Sequence, residues 1–210
     1  MQSAPEIHYL VEGDTDAAVA RRLIRACGAL PGMERVTRGK AKFSSNLPKY
    51  NAAANHYPWL AIRDLDHDAD CAPTLIRTAL PKASPLMCFR VAVREAEAWL
   101  LGDREVLARA LGIPTSQIPD QPETLSDPKF TIVNLARRSK KRAVRDGLVP
   151  VQGSGISIGP EYAAWIIDFV QSDWDPRRAI ESNGVPSLGR AFRALQRLVQ
   201  SATEELRSQR

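Results

Sequence analysis

The sequence predicts an α/β protein: a mostly parallel four-stranded sheet flanked by helices, followed by a helical C-terminal region. Three observations point there. Short β-prone runs alternate with segments of helical period through about residue 112. Two of those runs, residues 59–62 and 87–93, are nearly continuously apolar, as strands covered on both faces are. Beyond residue 112 the alternation stops and proline-punctuated helical segments take over.

Residues 7–11 form a β-prone run that stops at Glu12-Gly13, and from Ala17 the period is helical. Val19, Ala20, Leu23, Ile24, Cys27 and Leu30 recur at helical spacing. Asp14 or Thr15 can cap the start, and Gly28 and Pro31-Gly32 stand near the end. A second strand is expected at residues 34–38, a polar irregular stretch at 40–45 and a short helix at 46–55. The third strand ends in Asp64. Pro73 opens a helix reaching Leu80, and the fourth strand runs into Glu95 and another helix. Pro114, Pro119, Pro122 and Pro128 make residues 113–128 an extended surface connection. Asp127-Pro128, Gly159-Pro160-Glu161 and Asp175-Pro176 each start a helix, the last ending near Asn183-Gly184. A final helix follows Pro186 with Ser187 as its cap, and Leu188, Ala191, Phe192, Leu195, Leu198 and Val199 share one of its faces. Residues 1–112 are thus expected as an α/β core and residues 113–210 as a helical extension packed on it.

Hydrophobic residues make up 44% of the 210 and charged ones 25%, ordinary for a globular chain, which excludes a disordered or fibrous protein. The net charge of +5 is compatible with a polyanion partner, and no basic tail accounts for it. Cys27, Cys71 and Cys88 lack CxxC spacing and are odd in number, which argues against a disulfide framework and a cysteine-rich zinc site. The first residues carry Glu6, Glu12 and Asp14 where a signal peptide needs basic and then apolar residues, and no apolar run reaches membrane-spanning length. The chain reads as soluble, unprocessed and cytoplasmic, with no membrane partner.

Four carboxylates stand out: Glu12 after the first strand, and Asp64, Asp66 and Asp68 after the third. In open α/β sheets sites form outside the carboxyl ends of strands, so adjacent ends bring these groups together. Crowded carboxylates raise one another's pKa unless a cation compensates, and hard oxygen ligands on short side chains suit Mg²⁺ or Mn²⁺. In an extended segment Asp64 and Asp66 point the same way while Leu65 packs inward. Aspartates at strand ends also serve as ordinary turn residues. An EF-hand loop starting at Asp64 is excluded, because Ala69 replaces its glycine and Leu75 its glutamate. A haloacid-dehalogenase-type phosphatase carries its DxD after the first strand, and nucleotide-sugar transferases with a DxD are longer chains.

Val11-Glu12-Gly13-Asp14-Thr15-Asp16, followed about fifty residues later by Ile62-Arg63-Asp64-Leu65-Asp66, resembles the TOPRIM domain shared by topoisomerases, bacterial primases and overcoming-lysogenization-defect nucleases. Val93-Arg94-Glu95-Ala96-Glu97-Ala98-Trp99-Leu100-Leu101-Gly102-Asp103, Asp127-Pro128-Lys129 and Pro186-Ser187-Leu188 resemble segments of small stand-alone TOPRIM-like proteins of bacteria and their mobile elements. The resemblance implies a TOPRIM/Rossmann-like core and a metal-dependent nuclease, with a place in phage defence or a mobile element. It assigns Glu12, Asp64 and Asp66 as catalytic residues, with Asp16 and Glu97 or Glu95 completing the metal ligands. Glu95 and Glu97 equally suit a helix's first turn without any ligand. No P-loop is visible, so the alternative function is a catalytically weak nucleic-acid- or protein-binding module acting with a partner ATPase. A third possibility is hydrolysis of small-molecule phosphates.

Arg137, Arg138, Lys140, Lys141, Arg142 and Arg145 place six cations in nine residues. They suit either sequence-independent phosphate contact with DNA or RNA or a solvated helix end. Arg94 and Lys129 are candidate phosphate clamps, and Arg38, Lys40 and Lys42 form a second basic candidate after strand two. His8, His56 and His67 form no zinc pattern, although His67 lies within the acidic segment. Trp99, Trp165 and Phe169 have core spacing, and Ser154 sits in an incomplete Gly-x-Ser-x-Gly pattern.

Overall fold

The computed structural model describes residues 4–66, 68–153 and 155–208. The architecture is α/β, with four parallel strands in the order β2-β1-β3-β4. β1 (Glu6–Val11), α1 (Asp14–Ala26), β2 (Leu30–Val36), α2 (Lys40–Ala53), β3 (Trp59–Asp64), α3 (Ala72–Ala79) and β4 (Met87–Ala92) alternate as expected. Then come α4 (Ala96–Leu101), α5 (Arg104–Leu111), single 3₁₀ turns at Thr115–Gln117 and Pro122–Thr124, α6 (Pro128–Arg137), α7 (Arg142–Leu148), α8 (Tyr162–Ser172), α9 (Pro176–Glu181) and α10 (Pro186–Ser208). No helix among the described residues is long and apolar enough to cross a membrane.

The chain divides into two compact units, Met1–Val93 with Ser187–Arg210, and Arg94–Pro186. The expected boundary at residue 112 therefore falls inside the second unit. The first unit takes α10, whose apolar stripe through Leu188, Leu195 and Leu198 is buried. Val93 N–H donates to Ser187 Oγ at 3.3 Å, and the Cys27 thiol lies 3.9 Å from the Phe192 carbonyl. Ser187 thus ties α10 to the end of β4, and the helix begins one residue before it.

Side chains alternate across the covered strands, and this sets the core. Leu10, Trp59, Ala61, Leu65, Phe89 and Val91 pack with Phe43 and Leu47 of α2 and Leu75 of α3 on one face. Leu60 and Ile62 take the opposite parity on β3 and are also fully buried, so the other face of the sheet is covered as well, with α1 against β1 and β3.

Several boundaries in the first unit differ from the expectation, for physical reasons. Helix α1 starts at Asp14, because Gly13 is its N-cap and the Asp16 carboxylate reaches back to accept the Gly13 N–H at 2.9 Å. It ends at Ala26, with Gly28 at φ +83°, so Leu30 opens β2 rather than closing the helix. Pro31-Gly32 lies within that edge strand at a bulge, where the pairing slips between Ile7 and Tyr9. The His8 imidazole accepts the Met33 N–H there at 2.9 Å, and a Cβ on residue 32 would lie 2.5 Å from that ring nitrogen. Helix α2 starts at Lys40 rather than residue 46, because burial of Phe43 and Leu47, one turn apart, outweighs the polar residues around them.

In the second unit the aspartates before prolines behave as caps. Asp127 Oδ1 accepts the Phe130 N–H at 2.7 Å and Asp175 Oδ1 the Arg177 N–H at 2.8 Å. Asp103 is buried at the start of α5 and accepts from the Asp175 N–H at 3.0 Å and the Arg178 guanidinium at 2.9 and 3.2 Å. Hydrogen bonding to Asp103 raises the Arg178 pKa despite its partial burial. Replacing Asp103 by Ala is expected to cost about 2 kcal/mol, read as a lower urea midpoint, since the Asp175 N–H and the guanidinium lose their acceptor together.

Candidate active site at the carboxyl edge of the sheet

The pairing of β1 with β3 runs His8 to Trp59, Tyr9 to Leu60 and Leu10 to Ala61. Two steps further, that register sets Glu12 opposite Arg63. Both fall on the parity of Leu10 and Ala61, the face covered by α2. Arg63 Nε lies 3.4 Å from Glu12 Oε1, near enough for an ion pair but without hydrogen-bond geometry, so both atoms are buried and unbonded. The other arm of the Arg63 guanidinium donates to Asp68.

The segment after β3 turns instead of continuing extended. Asp66 has φ +46°, and the Asp68 N–H closes back on the Leu65 carbonyl at 3.1 Å. Leu65 packs inward as expected, with its N–H held by the Ala92 carbonyl at 2.9 Å. Asp64 follows the parity of Ile62, whereas Asp66 is swung toward the first turn of α2. Lys40 Nζ sits there, 2.7 Å from Asp66 Oδ2 and 3.0 Å from both oxygens of Asp68.

Lys40 is held over this edge by the loop after β2, whose Arg38 and Gly39 N–H groups donate to the Glu12 carbonyl at 2.9 and 3.3 Å. Lys40 therefore belongs to the acidic cluster rather than to a basic patch with Arg38 and Lys42, which are exposed. Burial lowers the Lys40 pKa, but hydrogen bonds and charge from Asp66 and Asp68 outweigh it and hold the ammonium above its ordinary value.

The carboxylates stand out in the sequence, whereas nothing in the spacing marks Arg63 and Lys40 as the side chains that neutralise them. The signal for Arg63 was available: an arginine inside an otherwise apolar strand, beside acids, is a buried counter-ion. Among the described residues no three His, Cys, Asp or Glu side chains converge closely enough to hold a metal ion. An ammonium stands between Asp66 and Asp68, Asp64 lies on the other parity, and Asp16 is engaged with the Gly13 N–H. The chemistry of the donors, oxygen atoms on short acidic side chains, suits a hard divalent cation, although their present spacing does not converge on one. Glu12 Oε1 is buried and unbonded beside two carboxylates that already hold a monovalent cation.

Burial raises the Glu12 pKa, Arg63 and Lys40 lower it, Asp66 and Asp68 raise it again, and the net direction is up. A group whose pKa is higher folded than unfolded loses stability on ionising. The penalty is absent below about pH 4 and complete once the pH has passed the folded value. Glu12→Gln is therefore expected to melt above the wild type at neutral pH in the absence of divalent metal, the gain fading as the pH falls below about 4. Melting temperature against pH checks this, and a variant that melts lower at neutral pH contradicts it.

The second unit holds the remaining acidic candidates. Glu97 is buried, with Lys129 Nζ 3.5 Å away and the Tyr162 hydroxyl donating at 3.3 Å. Glu95 caps α4 and accepts the Lys129 N–H at 2.9 Å. Burial, then Glu97, pushes the Glu95 pKa up, and the same two causes hold the Tyr162 phenol well above its usual range. Lys129 is thus engaged with acids rather than poised alone as a phosphate clamp.

The basic run is broken rather than helical throughout. α6 ends at Arg137, and Ser139 is buried with its hydroxyl donating to the Leu111 carbonyl. Lys141 Nζ caps α5 by donating to the Arg109 and Ala110 carbonyls at 2.9 and 3.0 Å. Arg142 pairs with Asp146 at 3.2 Å in α7. Arg137, Arg138 and Lys140 are exposed, and Arg94 takes a left-handed φ of +63° as the chain passes out of the first unit. Trp99 and Phe169 are buried as packing residues, with Trp165 stacked on Phe169 at 5.4 Å. His67 and Ser154 lie outside the described residues.

Compared with models of known families, with curated proteins and with solved structures, the chain matches none.

Proposed function

We propose that the protein is a divalent-metal-dependent nuclease of TOPRIM type, with Mg²⁺ or Mn²⁺ at the Glu12, Asp66 and Asp68 edge, acting in phage defence or a mobile-element system. The observation that carries the reading is the half-buried Glu12 carboxylate, one oxygen of it enclosed and unbonded, near two aspartates that already grip a cation, at the carboxyl ends of adjacent parallel strands. A divalent ion supplies charge that offsets a phosphodiester's own and favours ionisation of a water. Asp66 and Asp68 would hold that ion. The Glu12 carboxylate, with its pKa raised by burial, would take the proton from an attacking water. Arg63 holds the carboxylates of Glu12 and Asp68 in position from within the protein. Lys40 Nζ, which bonds Asp66 and Asp68, would compete with such an ion for the same oxygens.

Purified protein incubated with DNA and RNA, with Mg²⁺ or Mn²⁺ and beside Asp66→Ala and Glu12→Ala, tests this. Cleavage that needs the metal and is lost in both variants is expected; cleavage that survives both substitutions contradicts it. One observation favours a second reading, a nucleic-acid- or protein-binding module whose activity comes from a partner ATPase. Lys40 and Arg63 already neutralise the acids without any metal. That reading predicts binding without turnover in the same assay.

A further inference from the structure

Beside the open edge of β4 lies a cavity of about 270 Å³ whose polar lining is almost entirely cationic. Arg77 reaches it from α3, Arg90 from β4 and Arg190 from the first turns of α10. None of the three has a carboxylate partner among the described residues. Arg77 donates to the Thr74 hydroxyl at 3.2 Å, and Arg90 is partly buried with its Nε enclosed and unbonded. Other arginines of the same unit are matched to acids, Arg21 to Glu34 and Arg63 to Asp68. Three unmatched guanidinium groups around one small cavity repel each other unless an anion joins them.

Ser187 also lines the cavity, and it is buried at the start of α10, where the helix N-terminus favours negative charge. Ile76 and Val91 supply an apolar wall. The volume is below the roughly 300–1,000 Å³ of a cavity for a whole drug-sized ligand. It suits one tetrahedral oxyanion with its ester linkage.

We propose that this cavity is a phosphate pocket that takes a terminal or backbone phosphate of a nucleic-acid strand, with Arg77, Arg90 and Arg190 as its ligands. Oxyanion binding follows from the cavity itself; the nucleic-acid source of the phosphate rests on the nuclease reading.

Three probes test it in the presence of a chelator, at one fixed salt concentration because phosphate contacts are salt-sensitive. They are inorganic phosphate, a 5′-phosphorylated oligonucleotide and the same oligonucleotide with a 5′-hydroxyl. They are titrated into wild-type protein, Arg90→Gln and the exposed-site double variant Arg77→Gln/Arg190→Gln, which keeps the test open if Arg90→Gln misfolds. Wild-type protein is expected to melt higher with inorganic phosphate and to bind the phosphorylated oligonucleotide roughly tenfold more tightly than either variant does. A preference for the 5′-phosphate that vanishes in the variants assigns the pocket to strand ends, and equal weakening of both oligonucleotides assigns it to backbone phosphate. Unchanged affinities in both folded variants, or no response to phosphate, overturn the proposal. Failure to cleave nucleic acid with phosphate binding intact removes the nuclease reading and leaves the pocket, whereas cleavage with no effect of the arginines does the reverse.

Discussion

Replacing Arg63 with methionine is expected to cost about 3–5 kcal/mol of stability, the loss seen when one partner of a buried ion pair is removed. Its side chain is only 5% exposed, and it faces two carboxylates, Glu12 and Asp68. Methionine fills similar volume, so the loss reports charge rather than a cavity. With the guanidinium gone, the Glu12 carboxylate keeps its burial and loses its nearest cation, and its pKa climbs further. The deficit is therefore expected to shrink as the pH falls and Glu12 takes up its proton. Lys40→Met is the contrast. Lys40, Asp66 and Asp68 are each about one-third exposed, and pairs of that kind contribute about 1 kcal/mol or less. Urea unfolding of the two variants over a pH series checks the difference; equal losses contradict the placement of Arg63 as the internal counter-ion.

Glu12→Gln is expected to lower metal-dependent cleavage by roughly 10²–10⁴-fold, the range for loss of a positioned general base. The same change is expected to raise the melting temperature at neutral pH, because ionised Glu12 is costly to bury. Lost activity with gained stability separates a functional carboxylate from a structural one. A structural acid would lose stability along with activity. The destabilised site is then part of the function, and the rest of the core supports it. Cleavage rates measured on material whose melting curve is known check both halves, and full activity in Glu12→Gln contradicts the role assigned to its carboxylate.

What was legible in the sequence was local or periodic. Asp127-Pro128 and Asp175-Pro176 announce helices because a cap bonds to backbone two or three residues away. The runs through Trp59 and Met87 announce covered strands because both faces of a parallel sheet are apolar. The parallel sheet in turn brings Glu12 close to the acids after β3, through the register of β1 on β3.

What was not legible depends on partners far along the chain. Pro31-Gly32 reads as a helix stop, yet it is a strand bulge shaped by His8 on the neighbouring strand. Lys40 reads as a loop cation until α2 is known to begin with it, which places its ammonium between Asp66 and Asp68. The left-handed turn at Asp66 changes which carboxylates share a side, and no spacing rule contains that angle. Lys141 and Arg142 read as phosphate contacts, but a helix end and Asp146 engage them. In the same way α10 reads as part of a C-terminal extension, whereas it belongs to the unit built on the N-terminal sheet.

Metal binding at the Glu12, Asp66 and Asp68 edge is tested by a Mn²⁺ titration followed by electron paramagnetic resonance, on wild-type protein, Glu12→Gln, Asp66→Asn and Lys40→Ala. Saturable binding is expected in the wild type, with loss or marked weakening in the two carboxylate variants and tighter binding in Lys40→Ala, where the competing ammonium is gone. Binding that is absent in the wild type, or indifferent to all three substitutions, contradicts it.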